Sequence, residues 1–188
     1  MAGDIGCVVL AAGFSERLGR PKALLRLGEG NLTGWLVGRL QRHGLDPVVV
    51  TNEDLFDELL ETAGCDVICN PDPESGRTGT VQLGIRRVGL APGRRFLVVP
   101  IDRPGFSDST LSSLLAAQST ACPSSGGRGG HPLLLSEQDA TRILEVAPSA
   151  PLRDLVEPDR MEVSDPHLHL NIDTPDDIER LTKAAETL

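Results

Sequence analysis

A three-layer α/β domain built on a mostly parallel sheet is the fold class the sequence predicts, and three observations carry that prediction. Four short apolar runs, IGCVVL (5–10), PVVV (47–50), DVIC (66–69) and FLVVP (96–100), are rich in β-branched residues and fit strands buried on both faces. Segments with helical spacing lie between them, and strand–helix alternation is the pattern of helices packed on both sides of a parallel sheet. The length of 188 residues, with 39% hydrophobic and 24% charged residues, suits one globular domain spanning 1–188.

The elements follow in chain order. LTGWLVGRLQRHG (32–44) puts Leu32, Trp35, Leu36 and Leu40 on one helical stripe and closes on Gly44. NEDLFDELLETAG (52–64) opens on Asn52 and acidic residues, as the positive end of a helix favours, and closes on Gly64. TVQLGIRRVGL (80–90) and SDSTLSSLLAAQS (107–119) continue the alternation. Further on, CPSSGGRGGHP (122–132) reads as a Gly/Ser-rich loop, LLLS (133–136) as a strand and EQDATRILEV (137–146) as a helix. MEVSD (161–165) and HLHLNID (167–173) are expected to form a small hairpin at the sheet edge. In TPDDIERLTKAAETL (174–188), Thr174 can cap a helix, Pro175 fits its first position, and Asp176 and Asp177 suit its dipole.

Composition narrows the function. Aromatic residues make up 3% of the chain and tyrosine is absent, so the core is built from Leu, Val, Ile and Ala. The net charge of −9 argues against a general nucleic-acid binder. No apolar run is long enough to span a bilayer and no signal peptide is evident, so a cytoplasmic protein without a membrane partner is expected. Cys7, Cys65, Cys69 and Cys122 form no C-x-x-C pair, which excludes zinc spacing and leaves reduced structural thiols.

Against that acidic background, LAAGFSERLGRPK (10–22) concentrates positive charge directly after the first strand. Ligands of open α/β sheets bind at the carboxyl ends of the strands, which is where this loop lies. Leu10, Ala11, Ala12 and Gly13 leave backbone uncovered, Ser15 adds a hydroxyl, and Arg17 and Lys22 add charge suited to an anion. Together they read as a triphosphate cradle. The spacing Gly13–Gly19–Lys22 departs from G-x-x-x-x-G-K-[ST], and G-x-G-x-x-G is absent, so neither a P-loop nor a dinucleotide fold is indicated. VVPIDRPGF (98–106) ends a strand on Asp102 between two prolines, a stiff turn suited to presenting one hard oxygen to Mg2+. In LNIDTPDDI (170–178), Asn171 and Asp173 alternate with Ile172 and face one way before a helix. NPDPESGRTGT (70–80), with Asn70, Thr78 and Thr80, reads as a loop that closes over a nucleotide, the two threonines capping the helix that follows. His131 in GGHP sits in a shaped loop suited to a substrate contact. His167 and His169 share one strand face without a third metal ligand, and His43 is a helix-end residue.

LAAGFSERLGRPKALL, NPDPESGRTGTVQLGI, PIDRP, GRGGHPLLL and NIDTPDDIERL together resemble the molybdenum-cofactor nucleotidyltransferases, in their order and across nearly the whole chain. The resemblance implies a three-layer, Rossmann-like nucleotidyltransferase fold. It implies transfer of a nucleoside monophosphate from an NTP to a phosphorylated acceptor such as molybdopterin, with release of pyrophosphate. The 10–22 loop would bind base and triphosphate, Lys22 would contact the phosphates, Asp102 would bind Mg2+, and Asn171 would lie at the same metal. The GRGGHP region, with Arg128 and His131, would lie near the acceptor, and Arg103 would meet an anionic one. A molybdoenzyme or its chaperone is the implied protein partner. LAAG and RPKALL favour CTP, so CMP transfer is expected, while Asn171, where the cytidylyl branch often has Asp, points to GTP. No Ser-His-Asp or Cys-His set is present, and none is needed: a phosphate-monoester acceptor is already ionised and requires positioning and charge neutralisation. A transferase for a sugar phosphate or another small phosphorylated acceptor, and a nucleotide-binding module or cofactor chaperone without turnover, are the two other readings of the same residues.

Overall fold

The computed structural model describes residues 4–188, so residues 1–3 of the expected domain lie outside it. Among the described residues, ten strands and six α-helices are formed, with four short 3-10 turns. β1 (Ile5–Ala11), β4 (Pro47–Thr51), β5 (Asp66–Cys69) and β6 (Arg95–Pro100) are the four expected apolar runs, and all are parallel neighbours in the order β6-β1-β4-β5. Beyond β6 the sheet continues through β9 (Leu133–Leu135), β7 (Ala121–Ser125) and β10 (Asp159–Glu162). On this path β9 alone runs against the others, so the sheet is mostly parallel.

Residue alternation shows why these strands accept helices on both faces. Cys7, Val9 and Ala11 of β1 enter one apolar cluster, while Val8 and Leu10 enter the other. Leu97 and Val99 of β6 divide from Phe96 and Val98 in the same way. The first cluster is closed by α1 (Leu32–Arg42), α2 (Glu53–Thr62), α4 (Asp108–Ala116) and α6 (Pro175–Ala185). The second is closed by α3 (Arg77–Val88) and α5 (Glu137–Leu144). Helix starts are set by side chains that satisfy free backbone donors: Asn31 accepts from the Gly34 N–H at 2.8 Å, Asn52 from Leu55 at 3.2 Å and Ser136 from Asp139 at 3.1 Å. Thr174 and Asp177 form a capping box on α6.

Two local expectations are corrected. Residues 122–132 are not simply a loop: 121–125 form β7, a turn with Gly126 and Gly127 at positive φ follows, and Arg128–Gly129 form β8, antiparallel to β7. The edge hairpin expected at 161–173 is not formed there. MEVSD contributes to β10, which runs parallel to β7, whereas 167–173 makes no strand. Leu168, Leu170 and Ile172 alternate because they are buried against the first cluster, not because they join a ladder. The small antiparallel pieces are β7–β8 and a separate pair, β2 (Arg26–Leu27) with β3 (Gly30–Asn31). No helix among the described residues is long and apolar enough to cross a membrane. The four cysteines stand as free thiols.

The chain leaves β1 toward β4 on one side and returns to β6 on the other. The crevice at the carboxyl ends of β1 and β6 is therefore the switch point of the sheet, and ligands of such sheets bind there.

Packing of α3 on β1 depends on one absent methyl group. A Cβ on Gly84 would collide with the branched side chain of Val8. Gly84→Ala is therefore expected to destabilise the protein by about 1 kcal/mol or more, although alanine is the better helix former. Urea denaturation checks this, and a stabilised variant would show that α3 rides farther from the sheet.

Candidate active site

The loop after β1 is shaped by a strained serine. Ser15 adopts φ 56°, the only positive φ outside glycine among the described residues, and its Oγ accepts the Lys22 N–H at 3.0 Å. Its carbonyl accepts from Leu18 at 3.0 Å and Gly19 at 3.2 Å. The loop thus folds back on itself and delivers Lys22 to the strand ends. Thr51 Oγ1 and Asn52 Nδ2 donate to the carbonyls of Ala11 and Ala12 at 3.3 and 3.2 Å, which fixes the bare stretch from the side of β4.

Three distant segments meet there. Lys22 Nζ lies 2.5 Å from Asp173 Oδ1 and 3.7 Å from Asp102 Oδ2. Arg17 Nη1 donates to Asp173 Oδ2 at 3.2 Å, and Asn171 Nδ2 donates to the same oxygen at 2.7 Å. The backbone closes the group, because the Ile172 N–H donates to the Asp102 carbonyl at 3.1 Å. Asp177 at the start of α6 accepts the N–H groups of Asp173 and Thr174 at 3.1 and 2.9 Å, which aims Asp173 outward from the helix. The Lys22 hydrogen bond holds the Asp173 carboxyl below the usual carboxylate range, with Asn171 and Arg17 adding to the effect and partial burial opposing it. Asn171 Oδ1 is buried with no partner among the described residues.

Two carboxylates and an orphaned amide oxygen are the hard donors that Mg2+ takes. Asp102 and the orphaned Asn171 Oδ1 are the groups that would hold a divalent cation, while both Asp173 oxygens are engaged by Lys22, Arg17 and Asn171. No group of three or more His, Cys, Asp or Glu suited to a metal occurs among the described residues, so phosphate or water oxygens would have to complete such a site.

A cavity of about 210 Å³ opens beside this cluster. Leu10, Ala11, Ala12, Gly13, Ser15 and Lys22 line it, as the sequence suggests, together with Thr80 and Asp102. Asn70 does not line it. Buried behind the wall, Asn70 donates to Thr80 Oγ1 at 3.1 Å and accepts the Asp72 N–H at 2.9 Å, so it holds the 70–80 loop in shape. Nor do Thr78 and Thr80 cap α3: Gly76 precedes the helix, and Thr78 Oγ1 donates to the Ala150 carbonyl at 2.5 Å. Arg17 is exposed at the rim. Phe14 and Arg77 also line the cavity, though no sequence motif marks them. Arg77 opens a helix and gives no local pattern that separates it from a solvated arginine.

A second, wider groove of about 900 Å³ is lined by His131, Arg77, Leu133, Arg153 and Arg160 among others. Arg77 borders both spaces. Burial, then the charges of Arg77 and Arg103, push the His131 imidazole down to about 4, so it is neutral near pH 7. Its Nδ1 is buried without a partner among the described residues. Arg128 is exposed on β8 and lines neither space. His169 Nε2 donates to the Ser125 carbonyl, 3.3 Å away, and His43, at the end of α1, lies 3.4 Å from Asp108.

Comparison with known proteins adds a family to this geometry. Residues 7–165 match the family described as the MobA-like NTP transferase domain. A probable molybdenum cofactor guanylyltransferase of Opitutus terrae is 28% identical over 116 residues, covering 62% of this chain and 56% of that protein, so the match spans little more than half of the relative. The homologue of Mycobacterium tuberculosis Rv0371c from Mycobacterium sp. strain JC1 superposes with a TM-score of 0.79 at 28% identity, covering 97% of both chains. Rv0371c of M. tuberculosis H37Rv, in complex with manganese, has a TM-score of 0.77 at 21% identity over 97% of this chain and 100% of that one, a likeness of fold.

The His131 environment sets a pH dependence. The imidazole protonates near 6.5 when unfolded and near 4 when folded, so between those values the unfolded chain binds the extra proton. Stability should fall as pH drops through that window, by at most about 1.4 kcal/mol per pH unit from this group. His131→Gln should flatten the curve between pH 6.5 and 4. Denaturation at several pH values checks it, and an unchanged slope would mean that the ring is solvated.

Proposed function

The chain belongs to the MobA-like NTP transferase domain family, and from that premise we propose that it moves a nucleoside monophosphate from an NTP to a phosphorylated acceptor. The observation that carries this reading is the convergence of Lys22, Asp102, Asn171 and Asp173 beside the cavity wall formed by Ala11–Gly13. An acceptor phosphate oxygen attacks the α-phosphorus of the NTP. The bond from that phosphorus to the bridging oxygen breaks, and pyrophosphate leaves. Mg2+, held by Asp102 and Asn171, would neutralise phosphate charge.

The chain's own groups do the rest. Lys22 is poised to trade Asp173 for triphosphate oxygens, and Arg17 adds charge at the rim. Asn70 and Thr80 support the wall over the nucleotide. His131, with Arg77 between the two spaces, would receive the acceptor's phosphate, while Arg103 lines neither space and would act only through its charge. A neutral His131 can hydrogen-bond to it without adding charge. The Opitutus relative supports a molybdopterin-type acceptor and, with Asn171, favours GTP over the CTP expected from LAAG and RPKALL.

Pyrophosphate release with CTP, GTP, ATP and UTP, with Mg2+ and with or without molybdopterin, tests the reading. Acceptor-dependent release with one or two of the four is expected. Lys22→Met should lower turnover on the order of 10²-fold while the fold is kept. Asp102→Asn should nearly abolish turnover, and Asn171→Asp should be tolerated because a hard oxygen remains. Near-normal turnover by the Lys22→Met protein with every NTP would overturn the cradle assignment.

A further inference from the structure

Arg39 lies in the middle of α1 with none of its side chain exposed. A buried charge is costly unless its hydrogen-bonding groups are engaged. Its Nη1 donates to the Pro104 carbonyl at 3.2 Å, and its Nη2 donates to the Phe106 carbonyl at 2.8 Å and to Asp108 at 3.0 Å. The guanidinium also lies over the rings of Trp35 and Phe106, 5.0 and 4.9 Å from their centroids. Leu32, Leu36 and Leu40 fill the same face of α1, so hydrocarbon would satisfy packing at this position. Hydrocarbon would not satisfy the carbonyls of 103–106, which belong to no helix or strand.

That segment runs on directly from Asp102. Its far side is pressed against the 165–170 turn: a Cβ on Gly105 would collide with the His167 carbonyl. Asp165 accepts the Ser107 N–H at 2.6 Å and the Thr110 hydroxyl at 2.9 Å. The same turn leads into Asn171 and Asp173. Arg39 thus sits beneath the junction of the two segments that bring oxygen donors to the site.

We propose that Arg39 is a positioning residue: by holding the Pro104 and Phe106 carbonyls, it fixes the turn that presents Asp102 toward Asn171 and Asp173. This rests on the reading above, in which Asp102 holds a divalent cation. A second buried arginine supplies a matched control. Arg95, at the opposite end of β6, donates to the carbonyls of Leu115 and Ala117, far from the strand's carboxyl end.

Arg39→Lys and Arg95→Lys both keep the charge and lose the fork, and both should lower the melting temperature. Only Arg39→Lys should reach the site. Two readouts separate the roles. The amides of Arg103 and Ile172, which donate to Pro100 and Asp102, should exchange about tenfold faster or more in Arg39→Lys, with no such change in Arg95→Lys. Mn2+ affinity with saturating NTP, measured by electron paramagnetic resonance, should weaken about 10- to 100-fold in Arg39→Lys, as for loss of a group that orients a ligand. If Arg39→Lys does not fold, Asp108→Asn takes its place, because Asp108 is half exposed and its carboxylate anchors the same Nη2 that holds the Phe106 carbonyl, so its loss loosens that grip. It should shift both readouts the same way by a smaller factor. If the wild type binds Mn2+ and Arg39→Lys leaves both exchange and Mn2+ affinity unchanged, this proposal alone is overturned. A wild type that binds no Mn2+ with any NTP would overturn the functional reading and the metal role of Arg39 with it.

Discussion

The short contact between the Lys22 ammonium and Asp173, 151 residues apart in the chain, is the constraint on which the site depends. Lys22 is largely enclosed, and an enclosed ammonium needs an acceptor close by. Asp173 supplies it only if the last crossing of the chain returns to the first strand. The fold meets that condition from both sides. Ser15 bends the early loop so that Lys22 arrives at the strand ends, and the Asp177 carboxylate fixes the backbone of Asp173 and Thr174. Asp102 joins through the backbone bond from Ile172.

The resulting cluster is close to electrically balanced, with Arg17 and Lys22 facing Asp102 and Asp173. In a chain of net charge −9, such local balance means that a triphosphate brings surplus negative charge with it. On the proposed reading, a divalent cation arriving with the nucleotide would answer that surplus, the orphaned Asn171 Oδ1 would give it a further oxygen, and metal and nucleotide would depend on each other. The His131 groove follows other physics: burial and two arginines keep the imidazole uncharged, and positive charge at that end stays on Arg77 and Arg103. On the proposed reading the neutral ring would serve the acceptor as a hydrogen-bonding group.

Much of this was legible in the sequence because the informative residues stand at punctuated places. Lys22 follows a Gly-rich turn, Asp102 stands between prolines after an apolar run, and Asn171 and Asp173 alternate just before a helix cap. Long-range partners were not legible. Nothing local pairs Lys22 with Asp173 or Arg17 with Asp173. Arg39 reads as a polar position beside a leucine stripe, because periodicity reports which face is apolar and not that a charge has been enclosed on it. Residues 121–125 lack β-branched side chains, and they became a strand because β9 and β10 flank them. The alternation in HLHLNID reported burial of Leu168, Leu170 and Ile172, and burial without ladder hydrogen bonds looks the same in sequence.

A crystal structure of the protein with Mn2+ and a non-hydrolysable NTP tests the central claim most directly. The account predicts one anomalous peak within coordination distance of Asp102 and Asn171 Oδ1, with Lys22 moved from Asp173 onto the phosphates. An anomalous peak elsewhere, with nucleotide bound and Lys22 still seated on Asp173, would contradict it.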